Sequence, residues 1–497
     1  MILEPGVSAH RSRTYGGSPV SKPIISVLFT AFAAVFSCAA FAVDAPGPSL
    51  KEASLVTEVL PWGETVTAVR IEYSEEIPAA ELTSRMPTQT TDSSLVKFHL
   101  FADRAISSYY VNNSGKKDDV AVYGRYVFLN LGIQNMDANT YRSQVTFNPA
   151  TKTRPRLPGY VLSQTDPITT RTGKVIEPVT VSTKGEIAVG IDDYTTFTFK
   201  NEATGHTLNY HLYIPRGYEA KKAGLKDLPL VVHYPSGDFN YVDWTGKYRG
   251  ALFSHHDALY WSDEDSQAAH PAFVVTVGGA ADPKWNSVNF SDSEMQQNLV
   301  KVVEKILAEY NVDASRIYAV SLAGGSTPMW STIQANPGLF AAQISTSYDT
   351  DSAYKDEKVS REKFAEMLKI LPGWFFAGLM DPTGLGALGP SDKRYKGERL
   401  RDTAEWANQN GFHIDIGYGK DGEWMWNGLL RGEKASRMAE AQLARARAEN
   451  AVHLITIYIP GTLLINQHWS WDATYSNAVV RNWLFEHVNK TPYTPGK

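Results

Sequence analysis

Arg316-Ile317-Tyr318-Ala319-Val320-Ser321-Leu322-Ala323-Gly324-Gly325 decides how the rest of this chain is read. Its apolar first half predicts a strand, Ala323-Gly324-Gly325 predicts a tight turn of small residues, and a helix is expected to follow. Strand, turn and helix are the setting of the Gly-x-Ser-x-Gly bend, which lifts a nucleophilic serine clear of a sheet. Laid on that pattern without a gap, Ser321 takes the first glycine, Gly325 the last, and Ala323 the serine. A methyl group has no nucleophilic atom, so the sequence reads as hydrolytic machinery with a hole at its attacking position.

Working outward, short apolar runs recur at Leu228–Val232, Ala272–Val277, Ile317–Val320, Ala341–Ser345, Trp374–Ala377 and Leu454–Ile459, with helical spacing between them. Buried strands alternating with helices predict a mostly parallel sheet with helices on both faces. This α/β region is expected over 181–497. It is entered by an antiparallel hairpin, Tyr194–Phe199 and Leu208–Ile214 around Asn201-Glu202-Ala203-Thr204-Gly205. Ser291-Asp292-Ser293-Glu294 reads as a capping box for a helix whose core face is Met295, Leu299, Val302, Val303, Ile306, Leu307 and Tyr310. Residues 383–433, Gly-rich and then charged, read as an insertion. Ala435–Glu449 reads as a mostly solvated helix.

Residues 43–150 are expected to be all-β. Val96-Lys97-Phe98-His99-Leu100 alternates, and Ile106–Val111 and Tyr126–Leu131 are further strands, so short strands broken by Gly, Asn and Asp predict a β-sandwich. The Pro-rich stretch from Pro149 to Pro158 marks a linker, placed at 151–180. Residues 1–42 have the features of a secretory signal peptide: Arg11, Arg13 and Lys22, an apolar run from Ile24 to Ala40, then Ala40-Phe41-Ala42 as cleavage site. The expected location is therefore secreted or periplasmic. Cys38, the single cysteine, would leave with that segment, and Phe36 spoils the lipid-attachment motif around it. Removing three basic residues and one acidic residue takes the net charge from −5 to −7. Nothing in that balance suits nucleic acid. No other run is long and apolar enough for stable membrane insertion; without cysteine the remaining chain has no thiolate metal site, and acyl transfer through serine would need no metal or organic cofactor.

Acyl-transfer sites on α/β-hydrolase folds run nucleophile, acid, histidine along the chain. Here that order gives Ala323, Asp381 and His468. Asp381 follows the Trp374–Ala377 strand at the end where open sheets bind ligands, with Asp349 and Asp351 as weaker substitutes. His468 lies in Gln467-His468-Trp469-Ser470-Trp471 after the last strand. An oxyanion hole needs two fixed N–H donors. Gly324 supplies one, and the other falls to Ser236 or Gly237 in His233-Tyr234-Pro235-Ser236-Gly237-Asp238, because Pro235 has no N–H. His255-His256 reads as a surface pair rather than a metal site. Trp424, Trp426, Trp469 and Trp471 read either as an aromatic wall for substrate or as packing.

Several segments together resemble a family: Thr57-Glu58-Val59 with Val66-Thr67-Ala68-Val69, Ile106–Asn112, Leu212-Tyr213-Ile214-Pro215, Gly250-Ala251-Leu252, His270-Pro271-Ala272-Phe273-Val274-Val275, Asp313–Trp330, His468–Trp471, Tyr475 and Trp483-Leu484-Phe485. They are similar to secreted bacterial esterases with an N-terminal immunoglobulin-like domain and a depolymerase-like α/β-hydrolase domain. The resemblance implies that fold, a small-molecule or polymeric ester as ligand, and hydrolysis through serine, acid and histidine. The acid falls on Asp381, the base on His468 and the serine on Ala323. The oxyanion loop departs as well, with Pro235-Ser236 where the family usually has His-Gly.

Four readings follow from the sequence. The chain is an esterase with a displaced nucleophile, Ser321 or Ser326; a non-catalytic ligand- or polymer-binding protein on a hydrolase scaffold; a Ser-to-Ala substrate-trapping form of an active esterase; or a peptidase of the same fold.

Overall fold

Strands β1 (Leu50–Leu60) and β2 (Gly63–Pro78) form a long antiparallel pair, which β5 (Tyr123–Leu131) and β4 (Ile106–Asn112) extend on one side. The computed structural model describes residues 47–83, 96–102, 104–133, 148, 151–279, 292–347, 354, 356–383, 385, 391–418 and 422–494. The expected signal peptide, Asp349 and Asp351 lie outside them. Facing this sheet is a second one of β3 (Phe98–Phe101), β6 (Val161–Gln164) and β9 (Val179–Ser182). Phe98 and Leu100 point inward while His99 and Phe101 are exposed, the alternation that a half-buried strand requires. Val69, Ile71, Val127, Leu129 and Leu162 fill the space between the sheets. Tyr73 spans it, its hydroxyl donating to Gln164 Oε1 at 3.0 Å.

The sandwich does not stop at 150. Strands β6 and β9, the small hairpin β7 (Ile168–Thr169) with β8 (Val175–Ile176), and β10 (Gly185–Ala188), which pairs parallel with β1, all belong to it. The stretch expected as a linker therefore completes the first domain, and the second begins near Tyr194 rather than 181. These strands are two to four residues long, too short to show a period, and only pairing with distant partners makes them strands.

The second sheet has nine strands in the order β11 (Tyr194–Lys200), β12 (Thr207–Tyr213), β14 (Phe273–Gly278), β13 (Leu228–Tyr234), β15 (Val312–Leu322), β16 (Ala342–Thr346), β17 (Gly373–Gly378), β19 (His453–Tyr458), β18 (Ile414–Gly417). The hairpin and the β12–β14 contact are antiparallel, and the rest is parallel. Every residue of β13, β14, β16, β17 and β19 is buried, as strands covered on both faces must be. Helices Ser293–Glu309, Ser326–Ala335, Glu357–Leu368 and Lys396–Gln409 close one face through Leu299, Met329, Phe364 and Leu400. Helices Gly432–Ala448 and Ala478–Phe485 close the other through Leu443, Val480 and Trp483.

Three local expectations change. The segment expected as an insertion at 383–433 supplies the Lys396–Gln409 helix and the edge strand β18, so it is part of the framework. The helix at 293 is capped by Asp292, whose carboxylate accepts from the Glu294 N–H at 2.8 Å. Glu294 takes Thr204 Oγ1 at 2.6 Å and His206 Nδ1 at 2.7 Å, and Ser291, the first residue of the expected box, lies outside the described residues. His256 is half-buried rather than a plain surface residue. Its ring bridges the Val59 carbonyl of the sandwich and, at 3.0 Å, Asp263 Oδ2. Pro48–Lys497 forms one compact unit, tied by Arg154, which is buried against Glu64 and Glu186 while its N–H donates to the Val242 carbonyl at 2.8 Å.

Candidate active site

The chain leaves β15 at Leu322 in extended conformation and turns at Ala323, whose φ is 44°. An L-residue in the left-handed region costs about 1–2 kcal/mol, so the surrounding structure must impose the bend. Gly325 shows how. A Cβ there would stand 2.2 Å from the Tyr234 carbonyl oxygen and 2.5 Å from that of Pro235, so only glycine lets the turn press against the end of β13. The same contact brings Ser236 Oγ within 3.6 Å of the point where a Gly324 Cβ would sit. The two segments expected to form an oxyanion hole therefore meet beside the apex, where Gly324 and Gly237 are exposed and Ser236 half-buried.

The apex residue is Ala323, as the ungapped reading expects, and it is 5% exposed. The two serines offered as substitutes are not presented to solvent. Ser321 and Ser326 are fully buried, with their hydroxyls 2.7 Å apart. Ser321 is held further by Tyr475, whose hydroxyl accepts from the Ser321 N–H at 3.1 Å and donates to the Ser321 carbonyl at 2.7 Å. Side-chain bonding within the turn explains why serine is tolerated where the motif has glycine.

Asp381 and His468 come together across 87 positions of sequence: His468 Nδ1 donates to Asp381 Oδ2 at 2.8 Å. That proton position leaves Nε2 as the accepting nitrogen. Asp381 is fully buried, and its other oxygen accepts from the Thr383 N–H at 2.9 Å and hydroxyl at 2.6 Å. Burial pushes its carboxyl up, but the hydrogen bond from His468, the charge of Lys396 and the Thr383 hydroxyl outweigh that and hold it below the usual aspartate range. The loops carrying the pair interlock at Gly378, where a Cβ would fall 2.2 Å from the Gln467 carbonyl oxygen. Ser347, at the end of β16 with φ 54°, donates its hydroxyl to the His468 carbonyl at 2.5 Å. Sequence reasoning missed Thr383, Ser347 and Tyr475 as supports; of these only Thr383, two residues after an Asp-Pro turn, carried a local signal.

The four tryptophans do not form one wall. Trp471 is buried and meets the His468 ring edge-on at 5.5 Å, with half-buried Trp469 beside it at 5.1 Å. Trp426 is core, packed on Trp374, Phe376 and Tyr458. Trp424 is an exposed partner of Arg445. Among the described residues there is no group of three or more metal-ligating side chains, and no helix is long and apolar enough to cross a membrane.

Residues 52–177 match the family model of the esterase Ig-like N-terminal domain. Among solved structures, a thermostable esterase is 25% identical with a TM-score of 0.60, and the match covers 88% of this chain and 100% of that one. A poly(3-hydroxybutyrate) depolymerase from Bordetella parapertussis matches 58% of this chain and 88% of its own at 13% identity and a TM-score of 0.33. An S-formylglutathione hydrolase from Agrobacterium tumefaciens matches 59% and 95% at 11% identity and a TM-score of 0.35. No curated protein matches the sequence. The chain is an Ig-like N-terminal domain of the esterase type joined to an esterase-like α/β-hydrolase domain.

Proposed function

We propose that this chain is an exported ester-binding protein that keeps the acid–base half of a serine esterase and lacks its acyl-transfer step. One observation carries the reading: the strained apex at φ 44° is occupied by Ala323 while the His468–Asp381 bond stands at 2.8 Å. A scaffold that pays for a left-handed turn and a buried carboxylate has the framework for holding an ester carbonyl, with nothing to attack it. In this reading the Gly324 N–H and a donor from Ser236 or Gly237 receive the carbonyl oxygen, and His468 faces the alkoxy side.

Losing the serine leaves such a site with roughly 10³–10⁴-fold acceleration over water, from binding and oxyanion contacts alone. That is several kcal/mol short of an effective esterase. The mutual hydrogen bond of Ser321 and Ser326 argues against a displaced nucleophile. A trapping substitution in an otherwise working esterase would leave the same apex, and the test below also reads the reserve machinery that reading needs.

The test uses a fluorophosphonate probe and a short chromogenic ester on three proteins: the chain itself, Ala323→Ser, and Ala323→Ser with His468→Gln. No labelling of the first, labelling and turnover in the second, and loss of both in the third are expected, together with saturable ester binding by the unmodified chain in calorimetry. Labelling of the unmodified chain, or a folded but inert Ala323→Ser, would overturn the proposal. Export is read separately: the secreted protein is expected to begin at Val43.

A further inference from the structure

His256 sits at the seam between the two domains. Its Nδ1 donates to the Val59 carbonyl, near the end of β1 in the sandwich, and its Nε2 lies 3.0 Å from Asp263 Oδ2 in the second domain. A backbone carbonyl and a carboxylate only accept hydrogen bonds, and a neutral imidazole has one N–H to give. Both bonds are made together only when the ring carries two protons and a positive charge. The Val59 end is dry: Val59 is 1% exposed and packs among Leu252, Phe253 and Leu259 of the second domain. The Asp263 end meets solvent, its side chain being 40% exposed, which gives the second proton a way out.

We propose that His256 is a proton-dependent latch between the sandwich and the hydrolase domain: as the imidazolium it joins Val59 to Asp263, and on losing a proton it gives up one of the two, so that the contact loosens as pH rises. The groups facing the ring favour the latched form. Asp263 is bonded to it, Asp472 acts on it from the Ser470–Tyr475 helix, and the Tyr260 ring lies 4.3 Å away. Asp472 accepts from Tyr260 and Arg431, each at 2.5 Å. Arg481, on the Ala478–Phe485 helix, stands 6.0 Å over the Tyr260 ring and feels the charges of Asp263 and Asp265. Within the same segment, His255 stacks on Trp469 and Trp471, and Asp257 pairs with His233 at 2.6 Å. On the sandwich side, Glu58 pairs with Lys117 at 3.0 Å and Glu64 with Arg154. Burial pushes the pKa of His256 down, but the hydrogen bond and charge of Asp263, the Val59 carbonyl and the charge of Asp472 outweigh that and raise it above 6.5. The latch is therefore whole below pH 6.5 and fades as pH rises through the folded ring's higher value. A second attachment does not titrate: the Arg154 N–H donates to the Val242 carbonyl at 2.8 Å, and the Val242 N–H to the Lys152 carbonyl at 2.9 Å. Release is thus local, at the Val59 end of the seam, and the domains stay joined.

The test uses the full chain without ligand. In nitrogen NMR of the histidine-labelled protein, with the His256 signals assigned by their loss in His256→Gln, both ring nitrogens are expected to be protonated at pH 6. Hydrogen–deuterium exchange is followed in peptides covering Val59 and residues 255–263, corrected for the intrinsic pH dependence of exchange. It is expected to speed up about tenfold or more between pH 6 and pH 9, the scale of one lost hydrogen bond to a charged group, while peptides from β13 and β15 stay unchanged. His256→Gln is expected to exchange fast at both pH values. Asp263→Asn, at a partly exposed position, is expected to fold and to move the release to lower pH. A bare nitrogen on His256 at pH 6, equal protection of the parent at pH 6 and pH 9, or a parent-like pH response in folded His256→Gln would each overturn the proposal. Should His256→Gln not fold, an unmoved release in Asp263→Asn overturns it equally. None of these readouts needs an ester or an active Ala323→Ser, so they stand whatever the ester assay gives.

Discussion

Ser321 Oγ and Ser326 Oγ bond each other at 2.7 Å beneath the turn, fully buried. That bond uses for structure the two serine hydroxyls that flank the apex in sequence. Replacing either serine by alanine leaves a buried hydroxyl without its partner, which costs about 1 kcal/mol or more. Ser321→Ala/Ser326→Ala together should cost clearly less than the sum of the singles. A urea-unfolding double-mutant cycle measures the difference; strictly additive costs would mean that the pair does not interact.

Ala323 sits at φ 44°, so the apex stores strain that glycine would not feel. Ala323→Gly is expected to raise stability by about 0.5–1 kcal/mol, the relieved strain less the extra chain entropy of glycine. Thermal melting of the two proteins reads it. A destabilised Ala323→Gly would show that the turn is relaxed as it stands.

His211 is buried, its Nε2 donating to the Tyr248 carbonyl at 2.7 Å and its Nδ1 paired with Thr196 Oγ1 at 3.0 Å. Burial pushes its pKa down to about 4 from 6.5. The unfolded chain therefore binds this proton first as the solution is acidified. The contribution of neutral His211 is whole above pH 6.5, fades as pH falls from there to about 4, and amounts to at most about 3 kcal/mol. In His211→Gln, urea midpoints at pH 7 and pH 4.5 should differ less than in the parent. An equal acid loss in both proteins would contradict the assignment.

Arg154 donates to Glu64 at 2.9 and 2.6 Å and also pairs with Glu186, all three side chains being nearly inaccessible. Arg154→Met strands two buried carboxylates and should cost about 3–5 kcal/mol. Glu64→Gln added to it should recover part of that loss. Chemical unfolding followed by fluorescence checks both; a cost below 1 kcal/mol would mean that water reaches the cluster.

Where the chain wrote its structure in local pattern, the reading and the fold agree. Leu228–Val232, Trp374–Ala377 and Leu454–Ile459 are apolar without interruption, and each is a buried strand. The first half of the sandwich alternates and was legible; its second half, β6 to β10, was not, because Val175-Ile176 or Gly185–Ala188 becomes a strand only beside its partner. Glu294 had the spacing of a capping box, but its bonds to His206 and Thr204, far away in sequence, had no local signal.

By itself the sequence determined the fold class and the register of the bend that puts Ala323 at the apex, and it put Asp381 ahead of Asp349 and Asp351 as the partner of His468. Each of these follows from short-range spacing and from the order of loops at one end of a parallel sheet. Only the tertiary structure decided that Ser321 and Ser326 turn toward each other, that residues 161–188 finish the sandwich, and that His256 bridges Val59 and Asp263. Those outcomes depend on contacts between segments distant along the chain, and the free energy of burying a hydroxyl, an imidazole or a two-residue strand is set by what packs around it.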